Sequence, residues 1–326
     1  MTAKPKVAFY WCASCGGCEE AVVDLAEQVL DVTAAVDIVF WPVALDFKRH
    51  DVEAMADGSL AAAFINGAIR STEQEEMVHM LRRKAQVVVA FGSCSHLGGI
   101  PGLANLSDRD AVMATAYSEA PSLGNPGVLP QLGYDEDGHH VSLPELYDTV
   151  RTLDQVIDVD YYLPGCAPTP ALIAKAVMAL LSGGLPAKGS VLAPDVALCD
   201  ECPRQKTKPE KLALGAFKRP SEVVLNEEEC LLAQGVLCLG AATRSGCDAL
   251  CIKGNMPCTG CFGPTSRVRD HGIKAMAGIA STIGSNDAAE IEKIVTAIPD
   301  PIGTFYRYSL AASLLRRRRL GAPAAH

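Results

Sequence analysis

The residues best suited to chemistry in this sequence are its cysteines, of which there are 13 among 326 residues. An odd number fits poorly with complete internal disulfide pairing, and the fraction is too low for a small disulfide scaffold. Eight of them crowd into the segment between Cys199 and Cys261. In a reducing compartment, thiolates gathered in this way usually bind metal. The cysteines therefore predict metal sites rather than disulfides.

Four of the cysteines each come shortly after a segment that is typical of a strand in a parallel sheet. The carboxyl ends of parallel strands share one edge of the sheet, where ligands bind at the crevice in which the strand order switches. Four thiols meeting there make a complete ligand set for one [4Fe–4S] cluster. A redox-active C-x-x-C pair and a zinc site are the alternatives. The four are Cys15, Cys18, Cys94 and Cys166.

The cysteines of the C-terminal half fill two further four-thiolate sites with none left over. Their irregular spacing is unlike the paired knuckles of zinc ribbons. One buried cluster without onward partners would also have no outlet for its electrons, so two more [4Fe–4S] clusters are favoured over zinc. The order along the chain leaves open which four cysteines share a cluster. The eight are Cys199, Cys202, Cys230, Cys238, Cys247, Cys251, Cys258 and Cys261.

Residues 1–190 alternate between strand-like and helix-like segments, and they form the scaffold that must position the first four thiols. This alternation predicts an α/β fold with a flavodoxin-like, doubly wound parallel sheet. The predicted strands are Lys6–Trp11, Asp37–Val43, Ala63–Ile65, Val87–Phe91 and Val156–Leu163. The predicted helices are Glu19–Leu30, Ser71–Lys84 and Pro170–Leu181. Thr72 and Glu75 have the spacing of a capping box in the second helix.

Residues 191–326 are predicted to form a second, cysteine-rich domain. Long periodic segments disappear between residues 191 and 265, where cysteine, glycine and proline dominate. A region this poor in core residues needs a staple, which metal clusters can supply. Helical periodicity returns in Asp287–Ile298, and Ser309–Arg319 is a further predicted helix with a solvated basic end at Arg316–Arg319.

The composition excludes several classes of function. Acidic residues outnumber basic ones by 38 to 29, and the net charge of −9 argues against a general nucleic-acid binder. No apolar stretch approaches the roughly 20 residues that a membrane-spanning helix needs. The N-terminus shows neither the apolar core of a secretion signal nor a twin-arginine motif. We therefore expect a cytoplasmic protein with no nucleic-acid partner and no membrane span.

Several motifs resemble the small subunit of [NiFe] hydrogenases. In the N-terminal half these are Cys15-Gly-Gly-Cys18, Gly92-Ser-Cys94 and Pro164-Gly-Cys166-Ala-Pro168. Within that superfamily the sequence is most similar to the gamma subunit of the cytosolic methyl-viologen-reducing hydrogenase that is found with heterodisulfide reductase. The C-terminal motifs that carry this similarity are Cys199-Asp-Glu-Cys202-Pro-Arg204, Cys230-Leu-Leu-Ala-Gln-Gly235 and Cys258-Thr-Gly-Cys261-Phe-Gly-Pro264.

The resemblance implies an electron-transfer subunit with three [4Fe–4S] clusters. The four N-terminal cysteines would hold a proximal cluster facing the nickel–iron centre of a separate hydrogenase large subunit. The other eight would hold medial and distal clusters that carry electrons outward. The implied onward partners are a small iron–sulfur electron-transfer subunit and a heterodisulfide reductase-like flavoprotein. The alternative is a related subunit of a hydrogenase-like or complex I-like oxidoreductase whose large subunit lacks nickel.

Five other residues have competing interpretations. Deazaflavin-reducing relatives use an aspartate as one proximal ligand, and Asp46 stands at the matching position; otherwise it is a solvated or capping carboxylate. Cys12 has no counterpart in the motif and is interpreted as a packed, spare thiol. Glu19 and Glu20 are either first-turn helix acids or neighbours of a proton path. His96 either donates to cluster sulfur or lies at the surface.

Overall fold

The computed structural model describes residues 4–124 and 127–316. The strands are β1 (Lys6–Trp11), β2 (Asp37–Phe40), β3 (Leu60–Asn66), β4 (Ile69–Ser71), β5 (Ala85–Phe91), β6 (Gly133–Glu136), β7 (His139–Ser142), β8 (Leu146–Arg151), β9 (Tyr161–Leu163) and β10 (Ser190–Val191). Six of them form one parallel sheet in the order β10-β9-β5-β3-β1-β2. Strands β4 and β8 form one separate antiparallel pair, and β6 and β7 form another. The order places β1 between β2 and β3, as in flavodoxin, and confirms the predicted α/β class.

Helices cover both faces of this sheet. The helices are α1 (Gly17–Val23), α2 (Gln28–Ala35), α3 (Arg49–Glu53), α4 (Thr72–Lys84), α5 (Ser93–Leu97), α6 (Arg109–Ala114), α7 (Pro170–Ser182), α8 (Leu250–Lys253), α9 (His271–Ala280), α10 (Ala288–Thr296) and α11 (Pro301–Phe305). Helices α1 and α7 pack on one face and α4 on the other. With both faces covered, the central strands are continuous apolar runs, as expected of a parallel sheet.

Aromatic packing fixes the face of the sheet that lies beneath the first four cysteines. Phe9, Phe64 and Phe91 lie on neighbouring strands, with ring centroids 5.0 Å apart for Phe9 and Phe64 and 6.2 Å apart for Phe64 and Phe91. Trp41, just after β2, extends the group, with its ring 4.8 Å from that of Phe9. Such ring pairs add to the area they bury, so this face gives the carboxyl edge a rigid base.

Three predicted elements differ from the structure. The helix predicted for Glu19–Leu30 is broken into α1 and α2, because Ala26 adopts a left-handed φ of 52° that a helix cannot contain. The strand predicted for Val156–Leu163 is ordered as strand only over β9. The helix predicted for Ser309–Arg319 is wrong in its described part, where residues 306–316 form turns; Arg317–Arg319 lie outside the described residues.

Helix α4 ends at the predicted residue, Lys84, but begins one residue later than predicted and with a different cap. Ser71 is the N-cap, and its hydroxyl accepts from the backbone N–H of Gln74 at 3.4 Å. The Gln74 side chain accepts in return from the backbone N–H of Ser71 at 3.2 Å. The capping box is therefore formed one residue before the predicted Thr72–Glu75 pair.

The cysteine-rich segment lies beyond the sheet and contains little regular structure. Short turns and single helical turns fill residues 192–265, and the longer helices α9 and α10 follow. The sheet strand β10 ends at Val191, so the predicted boundary between residues 1–190 and 191–326 falls inside that strand, and the division into two domains stays a prediction. Among the described residues, no helix combines the length and apolarity that crossing a bilayer demands.

Candidate metal centres

The four N-terminal cysteines, here called the proximal set, lie together at the carboxyl edge of the sheet. Cys15 follows β1, Cys18 lies in the first turn of α1, Cys94 lies in α5 directly after β5, and Cys166 follows β9. Cys18 and Cys94 are buried, whereas Cys15 and Cys166 are exposed. Two thiols of the set are therefore buried in the fold, and the other two are accessible from the surface.

The thiols of the proximal set are close enough to affect one another electrostatically. Burial raises the pKa of Cys18, and the charges of Cys94, Cys166 and Cys15 raise it further. Burial, followed by the charges of Cys166 and Cys15, raises the pKa of Cys94 to about 12. Burial and then Cys15 raise the pKa of Cys166. Thiolates gathered in this way need a compensating positive charge, which a metal group supplies.

Two glycines of this region lie against cysteine sulfurs, where any side chain would collide with them. A Cβ atom on Gly92 would lie 2.3 Å from Sγ of Cys18, and one on Gly99 would lie 2.4 Å from Sγ of Cys94. Both glycines have positive φ, 86° and 58°, which side chains rarely adopt. The backbone N–H of Ile100 also donates to the Cys94 sulfur. Thiols backed by glycine and by a backbone donor fit a sulfur-ligated cluster.

Four cysteines of the C-terminal half form a second group, here called the distal set. They line one cavity together with Arg204, Lys208 and Gly240. Burial, followed by the charge of Cys238, raises the pKa of Cys199 to about 11. A Cβ atom on Gly240 would lie 3.6 Å from Sγ of Cys199 and 3.8 Å from Sγ of Cys238. The distal set is Cys199, Cys202, Cys230 and Cys238.

The last four cysteines form a third group, here called the medial set. Burial raises the pKa of Cys261 to about 12, and the charges of Cys247 and Cys251 contribute to that rise. Burial also raises the pKa of Cys258, and the charge of Cys238 in the distal set and then that of Cys261 raise it further. Backbone N–H groups of Ala249 and Leu250 donate to the Cys247 sulfur. The medial set is Cys247, Cys251, Cys258 and Cys261.

Two backbone hydrogen bonds join the three sets in a row. The N–H of Cys166, in the proximal set, donates to Sγ of Cys261 in the medial set. The N–H of Cys258, in the medial set, donates to Sγ of Cys238 in the distal set. The Ser93 hydroxyl, beside Cys94, donates to the backbone carbonyl of Cys261. The medial set therefore lies between the other two.

Each set offers four thiols, a donor number that either an iron–sulfur cluster or a single zinc ion accepts. A lone zinc ion binds thiolates at about 2.3 Å, which brings its ligands into close mutual contact. Among residues 4–124 and 127–316, no three His, Cys, Asp or Glu side chains converge in the way that a single metal ion requires. All 13 cysteines are free thiols.

Asp46 and Cys12 are two of the residues with competing interpretations. Asp46 lies in an exposed loop after β2 and pairs with Lys48 at 2.5 Å, and this cation lowers the pKa of its carboxyl. In the structure Asp46 is thus a solvated carboxylate with a lysine partner, and its role as an alternative proximal ligand stays a prediction. Cys12 is buried at the end of β1 among residues of the opposite sheet face, including Phe40. Burial raises its pKa, as expected of an inert packed thiol.

Glu19, Glu20 and His96 differ in burial. Glu20 is exposed in the first turn of α1, whereas Glu19 is buried and accepts hydrogen bonds from Trp41 and Asn66. Burial raises the pKa of Glu19. His96 has a buried, unpaired Nδ1 atom, and burial lowers its pKa to about 3. Glu19 and Glu20 therefore both lie in the first turn of α1, as one interpretation predicted, and only the interpretation of His96 as a surface residue is wrong.

Comparison with known proteins agrees with this geometry. The family described as NADH ubiquinone oxidoreductase, 20 Kd subunit, matches residues 15–180. An iron-sulfur subunit of the F420-non-reducing hydrogenase of Archaeoglobus profundus is 40% identical over 96% of this chain and 98% of its own length. The corresponding F420-non-reducing hydrogenase subunit of Methanothermobacter thermautotrophicus is 38% identical, covering 97% of each chain. The chain belongs to this family of F420-non-reducing hydrogenase subunits. It is thus the small subunit of a hydrogenase.

A solved structure supports the fold of this hydrogenase small subunit. A chain of the recombinant [NiFeSe] hydrogenase from Desulfovibrio vulgaris Hildenborough matches 81% of this chain and 95% of its own, with a TM-score of 0.53 and 17% identity. At this identity the likeness concerns the fold. Its extent shows that the similarity continues beyond the parallel sheet into the cysteine-rich segment.

Sequence reasoning missed two residues that support the candidate ligands. The Thr243 hydroxyl contacts the Cys258 thiol, although the two residues are well separated along the chain. The Glu201 carboxylate accepts from the backbone N–H of Gly246, next to Cys247. The only sequence signal for Glu201 is that it precedes Cys202, which belongs to the distal set. In the structure its carboxylate instead contacts residues of the medial set.

Proposed function

We propose that this hydrogenase small subunit relays electrons through three [4Fe–4S] clusters, held by the proximal, medial and distal sets. The observation that carries the proposal is the pair of N–H to sulfur hydrogen bonds from Cys166 to Cys261 and from Cys258 to Cys238. They bring candidate ligands of neighbouring sets into direct contact. Clusters held in this row would accept and release one electron at a time when bound.

The residues of this chain would position the clusters and set their surroundings. The glycines Gly92 and Gly99 leave space at the proximal sulfurs, and backbone N–H groups donate to sulfurs of all three sets. Such donors stabilise negative charge on sulfur and so raise a cluster's reduction potential. The exposed thiols Cys15 and Cys166 would face a large subunit that carries the nickel–iron centre and splits dihydrogen.

The onward partners follow from the relatives and from the distal set. The names of the relatives describe hydrogenases that do not reduce F420, which supports a protein acceptor rather than deazaflavin. We infer a gamma-like subunit of the methyl-viologen-reducing type, delivering electrons to a small iron–sulfur subunit and then to a heterodisulfide reductase-like flavoprotein. We further propose a cytoplasmic location, because free thiols in this number persist in a reducing compartment.

One observation is compatible with the alternative function as well. The family that matches residues 15–180 is named for a subunit of NADH ubiquinone oxidoreductase, so the proximal half alone does not distinguish the two. If the alternative function is correct, the large subunit that binds this chain would lack nickel. Nickel analysis of the purified complex distinguishes the two, because a hydrogenase complex contains nickel and consumes dihydrogen.

Metal analysis and two cysteine variants test the relay. We expect about twelve irons per chain with equal acid-labile sulfide and no stoichiometric zinc. Cys166→Ala should abolish dihydrogen-linked dye reduction while about eight irons remain. Cys258→Ala should spare dihydrogen-linked exchange in the large subunit and block delivery to the protein acceptor. Zinc in place of iron, or full dye reduction by Cys166→Ala with normal iron content, would overturn the proposal.

A further inference from the structure

The cavity of the distal set contains a buried cation without a carboxylate partner. Arg204 is 4% exposed and lines that cavity. Its guanidinium donates to the carbonyls of Asn226, Glu229 and Ile252 at 3.1 to 3.3 Å and to Oδ1 of Asn255 at 2.9 Å. Within residues 4–124 and 127–316 no carboxylate forms an ion pair with it.

A buried charge that lacks a counter-ion is costly, so one is normally paired or serves a site. The four oxygens that surround Arg204 are all neutral, so they satisfy its N–H donors without cancelling its charge. The uncancelled charge therefore acts on the cavity that Arg204 lines, where the four distal thiols meet.

A second cation lies at the same cavity. Lys208 lines it as well, and its charge opposes the rise in the pKa of Cys199 that burial causes. Lys208 is exposed, so solvent and salt weaken its effect relative to that of Arg204. Both cations act on the distal thiols in the same direction.

The medial set has the opposite neighbour. The Glu201 carboxylate accepts from the backbone N–H of Gly246 at 3.0 and 3.1 Å, which holds it in place. One of its oxygens lies 3.9 Å from Sγ of Cys247. Burial raises the pKa of Cys247, and the charge of Glu201 raises it further. An anion thus lies at the medial thiols.

We propose that Arg204, Lys208 and Glu201 tune the relay, making the distal cluster easier to reduce than the medial one and so driving electrons outward. The inference rests on the proposed function. A thiolate-ligated cluster becomes one charge more negative when it gains an electron. A nearby cation therefore stabilises the reduced form and raises the potential, and a nearby anion lowers it.

The step is a single-electron exchange. With clusters bound, one electron would leave the group held by the medial set, which would be oxidised, and enter the group held by the distal set, which would be reduced. No bond between protein atoms forms or breaks. The charges of Arg204 and Glu201 both favour this direction, and they flank Cys202 in one short segment of the chain.

Redox titration of the complete hydrogenase complex, followed by electron paramagnetic resonance, tests the proposal. Lys208→Gln and Arg204→Met should each move one cluster signal to lower potential, with the larger shift for Arg204→Met. Arg204→Lys should restore most of that shift. Glu201→Gln should move a different signal to higher potential. Lys211→Gln, an exposed neutralisation in the same segment that does not line the cavity, should move neither.

The outcomes separate this inference from the proposed function. Iron and sulfide are measured in every sample, and a parent complex without the two C-terminal clusters would refute the relay itself. With full iron, the tuning is overturned if Arg204→Met and Glu201→Gln move the same signal, or if neither moves any. If Arg204→Met loses iron, the opposite shifts of Lys208→Gln and Glu201→Gln decide, since both replaced side chains are exposed.

Discussion

The indole N–H of Trp41 donates to the buried carboxylate of Glu19, joining the loop after β2 to the helix that begins at the proximal thiols. The same carboxylate accepts from Nδ2 of Asn66 at 2.5 Å, and Asn66 in turn accepts from the Ser14 hydroxyl at 2.9 Å. This network fixes the turn containing Cys15 against β3 and the loop after β2.

Removing that carboxylate should destabilise the chain. Glu19→Ala leaves the N–H groups of Trp41 and Asn66 unsatisfied in the interior, and we expect the free energy of unfolding to fall by about 2–4 kcal/mol. Glu20→Ala, one residue on and exposed, should change it by less than about 0.5 kcal/mol. Anaerobic thermal unfolding of the iron-loaded chain measures both. Equal effects of the two variants would contradict the role assigned to the network.

A methyl group at Gly92 should displace the proximal cluster. Gly92→Ala places a carbon 2.3 Å from Sγ of Cys18, a distance at which the sulfur must move. We expect a loss of about four of the twelve irons. Gly58→Ala is the control, because Gly58 has a similar φ of 71° with nothing within 4 Å of the added carbon. The iron content of Gly58→Ala should stay normal. A full complement of iron in Gly92→Ala would show that the space beside Sγ of Cys18 is not required for cluster binding.

Buried histidines should make the stability depend on pH. Burial lowers the pKa of His271 from 6.5 to about 4, so the unfolded chain takes up a proton before the folded chain does. The contribution of His271 is therefore fully present above pH 6.5 and is lost as the pH falls toward 4, amounting to about 3 kcal/mol. His271→Gln should make the acid limb of a stability–pH curve shallower, although not flat, because His96 behaves similarly.

The exposed His140 provides the control for this measurement. It lies in β7 and its Nδ1 atom contacts Oδ1 of Asp135 at 2.9 Å in solvent. His140→Asn should leave the slope between pH 4 and 6.5 unchanged. An unaltered slope in His271→Gln would instead assign the acid sensitivity to other groups.

The thirteenth cysteine should be dispensable for metal binding. Cys12 is buried away from the three sets, so Cys12→Ala should keep about twelve irons and cost about 1 kcal/mol in stability. Cys15→Ala, three residues on, should lose the proximal cluster. Iron analysis of the two variants side by side measures the difference, and loss of iron from Cys12→Ala would make Cys12 a ligand candidate.

Local patterns predicted the scaffold where burial and hydrogen bonding agree with the sequence. The apolar run ending at Phe91 and the strand Lys6–Trp11 form as expected, because both lie inside a sheet covered on two faces. The break near Ala26 could not be predicted, because a single left-handed residue leaves the apolar periodicity on either side intact.

The grouping of the eight C-terminal thiols could not be predicted for a different reason. The distal set contains the first four of them and the medial set the last four, so each set is contiguous in chain order. The row in space reverses that order, because the loop carrying Cys261 returns to the sheet and meets Cys166. Such a long-range contact leaves no trace in the spacing of either motif.

This reversed order has a consequence for how the molecule is made. On the ribosome the thiols of the proximal set are all present once residue 166 has been synthesised, and those of the distal set once residue 238 has. The medial set, which lies between them, is complete only once Cys261 has been synthesised. A nascent chain thus contains all the cysteines of the proximal and distal sets before the medial set between them is complete.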